Sequence, residues 1–542
     1  MRRHERDEFL VEREGIITFD ASGQPVTRQV DPEGGDRRFR FSRLGPKSPR
    51  QPENELVVAL ATAMTSSTTP DSRNPVVPAG FTYLGQFVDH DLTMDATATS
   101  LGEEVTDEEL LQGRSPALDL DSLYGRGPRD DEHARFYQPD GARLRVGTSA
   151  GVDGDDTVAS LDLEGFDLPR RGVGATKATR RMAEIPDTRN DQNLIVAQVH
   201  LAFIRFHNRV VDYLVEQGVP ADRLFDEARD CVERHYQWML RTDFLPRIVS
   251  PTIVEDVFAN RRRFVDPGNN SPTPTMPIEF SVAAYRLGHS MIRETYEWNR
   301  FFHSGPDALA PGSLPLLFNF SGTSGTLSPD GSPDDPESGS FERLPTNWIA
   351  DFRRLFDFSE AGREDLAGPG LNLAKRIDTL LVDPLGTLPE GSFGGGGSTP
   401  PVQRNLAFRN LTRAGMVDLA TGQQMADLFG CDRLTAGQLL DTDGGADLSE
   451  LTTEQRDLMA HETPLWFYVL REAEVSGGRL GPVGGRIVVE VFHRAIAGSR
   501  VSTVRDPDWR PFLGDCKDRF TMVDLLLFTF DGKADLINPL GD

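Results

Sequence analysis

The stretch GQFVDHDLTMD, residues 85–95, sets Asp89, His90 and Asp91 side by side, one helical turn beyond Gln86. Phe81, Tyr83, Leu84, Phe87, Val88 and Leu92 surround them, so an ionisable knot lies inside an apolar segment. An unpaired buried carboxylate is costly, and such a knot calls for a reason. On a helix over 81–94, Gln86, Asp89 and His90 stand at i, i+3 and i+4 and share one face. Asp91 points about 100° away from His90. One face then offers an amide, a carboxylate and an imidazole, and the next direction offers a lone carboxylate. The ordinary alternative is a solvated His-Asp pair on a surface helix.

Outward from this stretch, helical periodicity dominates. In ENELVVALATAM, residues Leu56, Ala59, Leu60 and Met64 share a face. The strongest helix spans Asn193 to Glu216, with an apolar stripe through Val196, Val199, Phe203, Phe206, Val210 and Leu214. Further helices are predicted at 221–243, 279–294, 344–356, 421–430, 453–474 and 482–498. Alternating strand patterns are few. The segments DPGNNSPTPTMP, SGTSGTLSPDGSPDDPESGS and EGSFGGGGSTPP read as flexible loops. The expected fold is mainly α with little β. Residues 1–50 read as a mostly irregular N-terminal extension, and residues 51–542 as one large domain with long loops.

Composition excludes several classes of function. The 542 residues are 38% hydrophobic and 26% charged, an ordinary globular balance. A formal charge of −26 opposes non-specific nucleic-acid binding, which needs a cationic face. No run of about 18 apolar residues is present to span a membrane. The start, MRRHERDEFLVERE, lacks an apolar leader, so a cytoplasmic site is the default expectation, with export by another route left open. Cys231, Cys431 and Cys516 are widely spaced and form neither a disulfide framework nor a metal knuckle.

Four other segments carry chemistry-bearing residues. Arg189 precedes the long helix in PDTRNDQN, with Gln192 close behind. A buried arginine there can stabilise developing negative charge, or simply pair with Asp187 or Asp191. His289 lies in the apolar stretch YRLGHSMI beside Gly288. A lone histidine on such a face is more often a satisfied core residue than a ligand. Asn410 and Arg413 are one turn apart in NLTRAG. In SPALDLDSLYG, Ser115, the Ala117 carbonyl, Asp119 and Asp121 project hard oxygens at alternate positions, which suits Ca²⁺. A solvated acidic loop is the plain reading of that segment alone. His200 and His207, seven apart on the long helix, read as packing residues.

Together these blocks resemble the animal-type haem peroxidases of the peroxidase–cyclooxygenase superfamily, especially its bacterial members, over roughly residues 50–500. The resemblance implies a large single-domain helical fold that binds haem b and Ca²⁺. His90 is then the distal base, moving a proton from the near to the far oxygen of hydrogen peroxide. Arg189 stabilises charge on the departing oxygen, and Gln86 orders water or a small anion. His289 becomes the axial ligand, and Asn410 holds its other ring nitrogen. Asp89, Gln192, Arg286 and Arg413 are the remaining cofactor contacts. Asp91 joins Ser115, Ala117, Asp119 and Asp121 around Ca²⁺.

Departures from the family pattern narrow the expectation. Gln192 stands where an ester-forming glutamate would be, so at most one haem ester forms, through Asp89. Asn193 replaces the methionine that gives some members a sulfonium link. A less electron-poor haem puts chloride oxidation in doubt and leaves iodide, bromide or phenols as donors. Arg286 occupies the position of the radical-forming tyrosine of cyclooxygenase-like members, with Tyr285 displaced by one. The expected activity is a peroxidase with hydrogen peroxide and a small-molecule electron donor as partners. A fatty-acid haem dioxygenase and a non-catalytic haem-binding protein are the alternatives. A metal phosphohydrolase is disfavoured for want of further His/Asp motifs near His90.

Overall fold

The computed structural model describes residues 16–19, 25–28, 39–50, 52–66, 76–97, 99–107, 109–267, 275–325, 327, 332, 335–389, 399–441, 444–514 and 518–542. Seven helices frame the site: α1 (Asn54–Thr65), α2 (Gly80–Leu92), α3 (Leu194–Glu216), α4 (Leu224–Met239), α5 (Leu406–Met416), α6 (Leu465–Val475) and α7 (Pro482–Gly498). The chain is mainly helical, and its few strands are short. No described helix is long and apolar enough to cross a membrane.

α3 runs through the centre of the core, with α2 and α4 packed against it. Its sequence holds no breaker, and the Asn193 side chain caps its start by accepting from the Val196 N–H at 3.0 Å. Phe87 of α2 stacks on Phe203 of α3, with ring centroids 4.5 Å apart and planes at 12°. It meets Tyr236 of α4 edge-on at 6.4 Å. This aromatic layer fixes the roll of α2 about its axis and so determines which side chains face away from α3.

The largest sheet among the described residues has three strands. Phe39–Ser42 lies between Leu111–Gln112, antiparallel to it, and Thr275–Pro277, parallel to it. It ties the end of the expected N-terminal extension into the body of the molecule.

Most predicted helices appear within a few residues of their expected bounds, and three differ. Residues 279–294 do not form an α-helix: a wide π-turn over Glu279–Ala283 is followed by a tight 3-10 run over Ala284–Met291. The buried Glu279 carboxylate accepts from the Leu44 and Gly45 N–H groups at 3.0 and 2.9 Å, and Arg286 Nε donates to the Ser281 carbonyl at 2.8 Å. Those side-chain bonds compete with the regular helical ladder. Residues 344–356 form two short 3-10 turns, because Asp351 accepts from the Arg353 backbone and starts a new turn. The expected helix 453–474 is two helices, Thr453–His461 and α6, broken at Pro464, which has no N–H to donate. Much of the three glycine- and proline-rich loops lies outside the described residues.

Candidate active site

α2 delivers the opening motif. Its last turn carries Asp89, His90 and Asp91, and the helix stops at Thr93, whose backbone is extended. The Thr93 hydroxyl donates to Asp89 Oδ1 at 2.9 Å, and Asp89 Oδ2 faces Arg286 Nη1 at 3.7 Å. His90 is buried, and its Nδ1 lies 2.8 Å from Asn190 Oδ1. A carbonyl oxygen only accepts, so Nδ1 carries the ring proton and Nε2 keeps its lone pair. Burial, reinforced by Arg189, lowers the His90 pKa to about 4. The ring is therefore neutral and able to accept a proton at ordinary pH.

Arg189 stands beside it. Its Nε and Nη2 donate to Asp187 at 3.1 and 2.7 Å, and Nη2 also donates to the His90 carbonyl at 3.0 Å. The sequence left two pairing partners open; the partner is Asp187, while Asp191 binds Arg170 at 2.5 Å. A second arginine, Arg114, donates through Nε to the same His90 carbonyl at 3.0 Å and is ion-paired with Asp187. Burial alone would raise the Asp187 pKa, but Arg114 and Arg189 outweigh it and hold the carboxyl well below its usual range. The two cations clamp the negative end of α2. Arg114 and Asn190 were absent from the sequence reading, and Asp187 entered it only as a candidate partner of Arg189. Arg114 and Asn190 directly neighbour residues that were picked out, Ser115 and Arg189, yet nothing local marks them, because their roles depend on contacts made across the fold.

His289 lies on the 3-10 run that packs against α2; its Nδ1 is 3.0 Å from Asn410 Nδ2, and its ring meets Trp466 of α6 edge-on at 6.5 Å. Burial and the nearby Arg286 lower the His289 pKa to about 3, so this imidazole is neutral too. With the amide nitrogen against Nδ1, the ring proton sits on Nε2. A half-turn of the Asn410 amide puts oxygen there instead, moves the proton to Nδ1 and frees Nε2 as a ligand.

Gln86, Asp89, Arg189, Gln192, Arg286 and His289 are partly accessible although many of their chain neighbours are buried. A Cβ placed on Gly288 would meet no atom within 4 Å. Gln86 Oε1 accepts from Asn193 Nδ2 at 2.9 Å, so Asn193 both caps α3 and orients the amide. At Arg286 a pocket of about 620 Å³ opens, lined from the α2 side by Thr93 and Asp95 and from the other by Arg286, Asn410 and Arg413. Arg413 makes no hydrogen bond or ion pair among the described residues, so its charge is available to an anionic group in this pocket. With Arg286 and Arg413 beside apolar Val105, Leu110, Ile278 and Val282, the pocket suits a largely apolar ligand that carries anionic groups.

Behind α2, Asp91, Asp119 and Asp121 bring carboxylate oxygens within 4.8 Å of one another. Asp91 Oδ1 is buried with no hydrogen-bond partner, and its Oδ2 accepts from the Leu120 N–H at 3.3 Å. Burial, then Asp121 and Asp119, push the Asp91 pKa well up, and burial with Asp121 brings that of Asp119 to about 8. Ser115 Oγ donates to Asp119 at 2.9 Å, and Ala117 is buried on the same loop. Leu120 closes the loop in a left-handed conformation, φ 56°, unusual for a residue other than glycine.

Comparison with known proteins agrees with this architecture. Residues 101–320 match the animal haem peroxidase family. A peroxidase-like protein of Margaritifera margaritifera is 28% identical over 275 residues, covering 43% of this chain and 33% of that protein. The chain thus aligns with about a third of that relative's length. Peroxidase A from Dictyostelium discoideum shares the fold with a TM-score of 0.54 at 16% identity, over 88% of this chain and 91% of that one. A fatty acid alpha-dioxygenase from Oryza sativa does so with a TM-score of 0.51 at 13% identity, over 98% and 88%. Residues 101–320 are thus similar to the animal haem peroxidase family, and the fold of the chain is that of peroxidase A and the fatty acid alpha-dioxygenase.

Proposed function

We propose that this protein is a haem-dependent peroxidase that reduces hydrogen peroxide and oxidises small organic or halide donors. The observation that carries the reading is the state of His90: neutral, with Nδ1 held by Asn190 and Nε2 left as a base. Haem, when bound, supplies an iron that takes up the oxidising equivalents of peroxide. His289 would hold that iron, with Asn410 setting the ring's orientation, and Arg286 and Arg413 would meet the anionic edge. His90 Nε2 accepts the proton of the nearer peroxide oxygen and returns it to the farther one, so that water leaves. Nη1 of Arg189, the arm not engaged by Asp187 or His90, faces charge building on the departing oxygen. Gln86, steadied by Asn193, orders the small molecules beside His90.

Asp91, Asp119 and Asp121, with Ser115 and the Ala117 carbonyl, form the Ca²⁺ site in this reading. The ion would lock the residue next to His90 in place. Asp89 is the one side chain available for an ester to haem, since Gln192 is an amide. A dioxygenase acting on fatty acids is disfavoured because Arg286, held by Ser281 and facing Asp89, fills the tyrosine's position.

The test is a haem titration of the wild type and His289→Ala, followed optically and by retention of haem on gel filtration. The wild type is expected to bind one haem. His289→Ala is expected to lose more haem affinity than the roughly 10-fold to 100-fold that follows loss of an outer-shell partner such as Asn410, regained in part by added imidazole. Equal affinity and an unchanged spectrum in the variant would remove His289 as the ligand.

A further inference from the structure

The sequence reads His200 and His207 alike, as packing residues on one helix. The structure separates them. His207 is fully partnered: Nδ1 lies 3.1 Å from the Tyr124 hydroxyl and Nε2 lies 2.8 Å from the Ala142 carbonyl. His200 is 0% exposed, and neither of its ring nitrogens has a hydrogen-bond partner. A buried polar group without a partner is rare in folded proteins and needs an explanation.

Its surroundings supply one. His200 packs edge-on against Phe87 at 5.7 Å, and Phe87 precedes His90 by three residues on α2. The ring is near enough to both Asp187 and His90 to feel their charge. A second orphan touches His90 directly: Asn190 gives its oxygen to His90 Nδ1, but its Nδ2 has no partner. One side chain thus has an unused donor, and the other an unused acceptor and donor. A buried water with two to four polar partners is the usual way to satisfy such groups.

We propose that His200 is a positioning residue for the distal histidine: with the Asn190 amide it holds a buried water that fixes which end of that amide faces His90. The water accepts from Asn190 Nδ2 and donates to a ring nitrogen of His200. With Nδ2 anchored to it, Oδ1 must face His90, and the His90 proton stays on Nδ1. Without the water, the amide is free to turn, present Nδ2 to His90 and shift the proton to Nε2, where it abolishes the base. The inference rests on the peroxidase reading for its consequence, but not for its geometry.

The experiment compares wild type, His200→Leu and His200→Gln as haem-loaded protein, with ¹⁵N-labelled histidine in the diamagnetic ferrous carbon monoxide form. Two quantities are read: the Nδ1–H to Nε2–H tautomer ratio of His90 and the thermal midpoint. His200→Leu is expected to lower the midpoint and to shift the tautomer ratio toward Nε2–H by roughly fivefold, the worth of one hydrogen bond. His200→Gln, which restores an acceptor and a donor, is expected to recover most of both. If His200→Leu fails to fold, His200→Met takes its place in the same comparison. A leucine or methionine variant as stable as the wild type, with His90 unchanged, would overturn the proposal and leave His200 as a dry packing residue. Neither readout depends on turnover, so a protein that fails to reduce peroxide sinks the function without touching this test.

Discussion

His90→Ala is expected to react with hydrogen peroxide roughly 10²-fold to 10⁴-fold more slowly than the wild type while binding haem equally well. The argument is local. Among the described residues Asn190 occupies His90 Nδ1, and none bonds its Nε2. Arg189 cannot substitute as a base, since a guanidinium stays protonated. The pH dependence follows from the depressed pKa. The working form is neutral, so the rate is level through the neutral range and falls as pH drops through about 4, where the ring gains its proton. Rapid mixing of reconstituted enzyme with peroxide across this range checks both points. A variant as fast as the wild type would assign the base to another group.

The second large effect concerns the three carboxylates behind α2. Asp91→Asn is expected to reverse its effect on stability according to whether calcium is present. Without calcium, burial and then the neighbouring Asp121 and Asp119 make an ionised Asp91 costly, so a neutral amide in its place raises the thermal midpoint. With calcium, the wild type gains about 4 kcal/mol once the ion exceeds its Kd a thousandfold. The variant, short of one charged ligand, gains far less. The two stability curves should therefore cross as calcium is added. Because Asp91 adjoins His90, and Arg114 links Asp121 to the His90 carbonyl and to Asp187, chelation is also expected to slow the peroxide reaction. Thermal scans of both proteins in chelator and in excess calcium decide the matter. Parallel curves, with no crossing, would mean that the cluster holds no calcium.

Much of this architecture was legible in the sequence, for identifiable reasons. α2 and α3 follow from uninterrupted apolar periodicity, and Asn193 announces the start of α3 as a capping residue. The grouping of Gln86, Asp89 and His90 on one face is helix geometry. Where local pattern misled, a side chain had captured a backbone group: Glu279 reaching to Leu44 and Gly45 turned an expected α-helix into a π-turn and a 3-10 run, and Pro464 split another. Arg114 and Asn190 were illegible for a different reason. Each acts by contact with His90 or Arg189, and no spacing rule records that Arg114 and Arg189 meet at one carbonyl 24 and 99 residues back along the chain. The contrast between His200 and His207 is of the same kind, since both occupy equivalent positions on the stripe and differ only in what the rest of the fold brings to them.

The most direct test of the central claim is stoichiometric. Reconstituted protein is mixed with a limiting amount of hydrogen peroxide and an excess of a phenol or of iodide, and donor oxidation and dissolved oxygen are followed together. A peroxidase reduces each peroxide with two electrons, so two equivalents of a one-electron phenol, or one of iodide taken to hypoiodite, are consumed with no oxygen released or taken up. Release of oxygen without donor oxidation, oxygen uptake in the presence of a fatty acid, or no consumption of peroxide at all would contradict it.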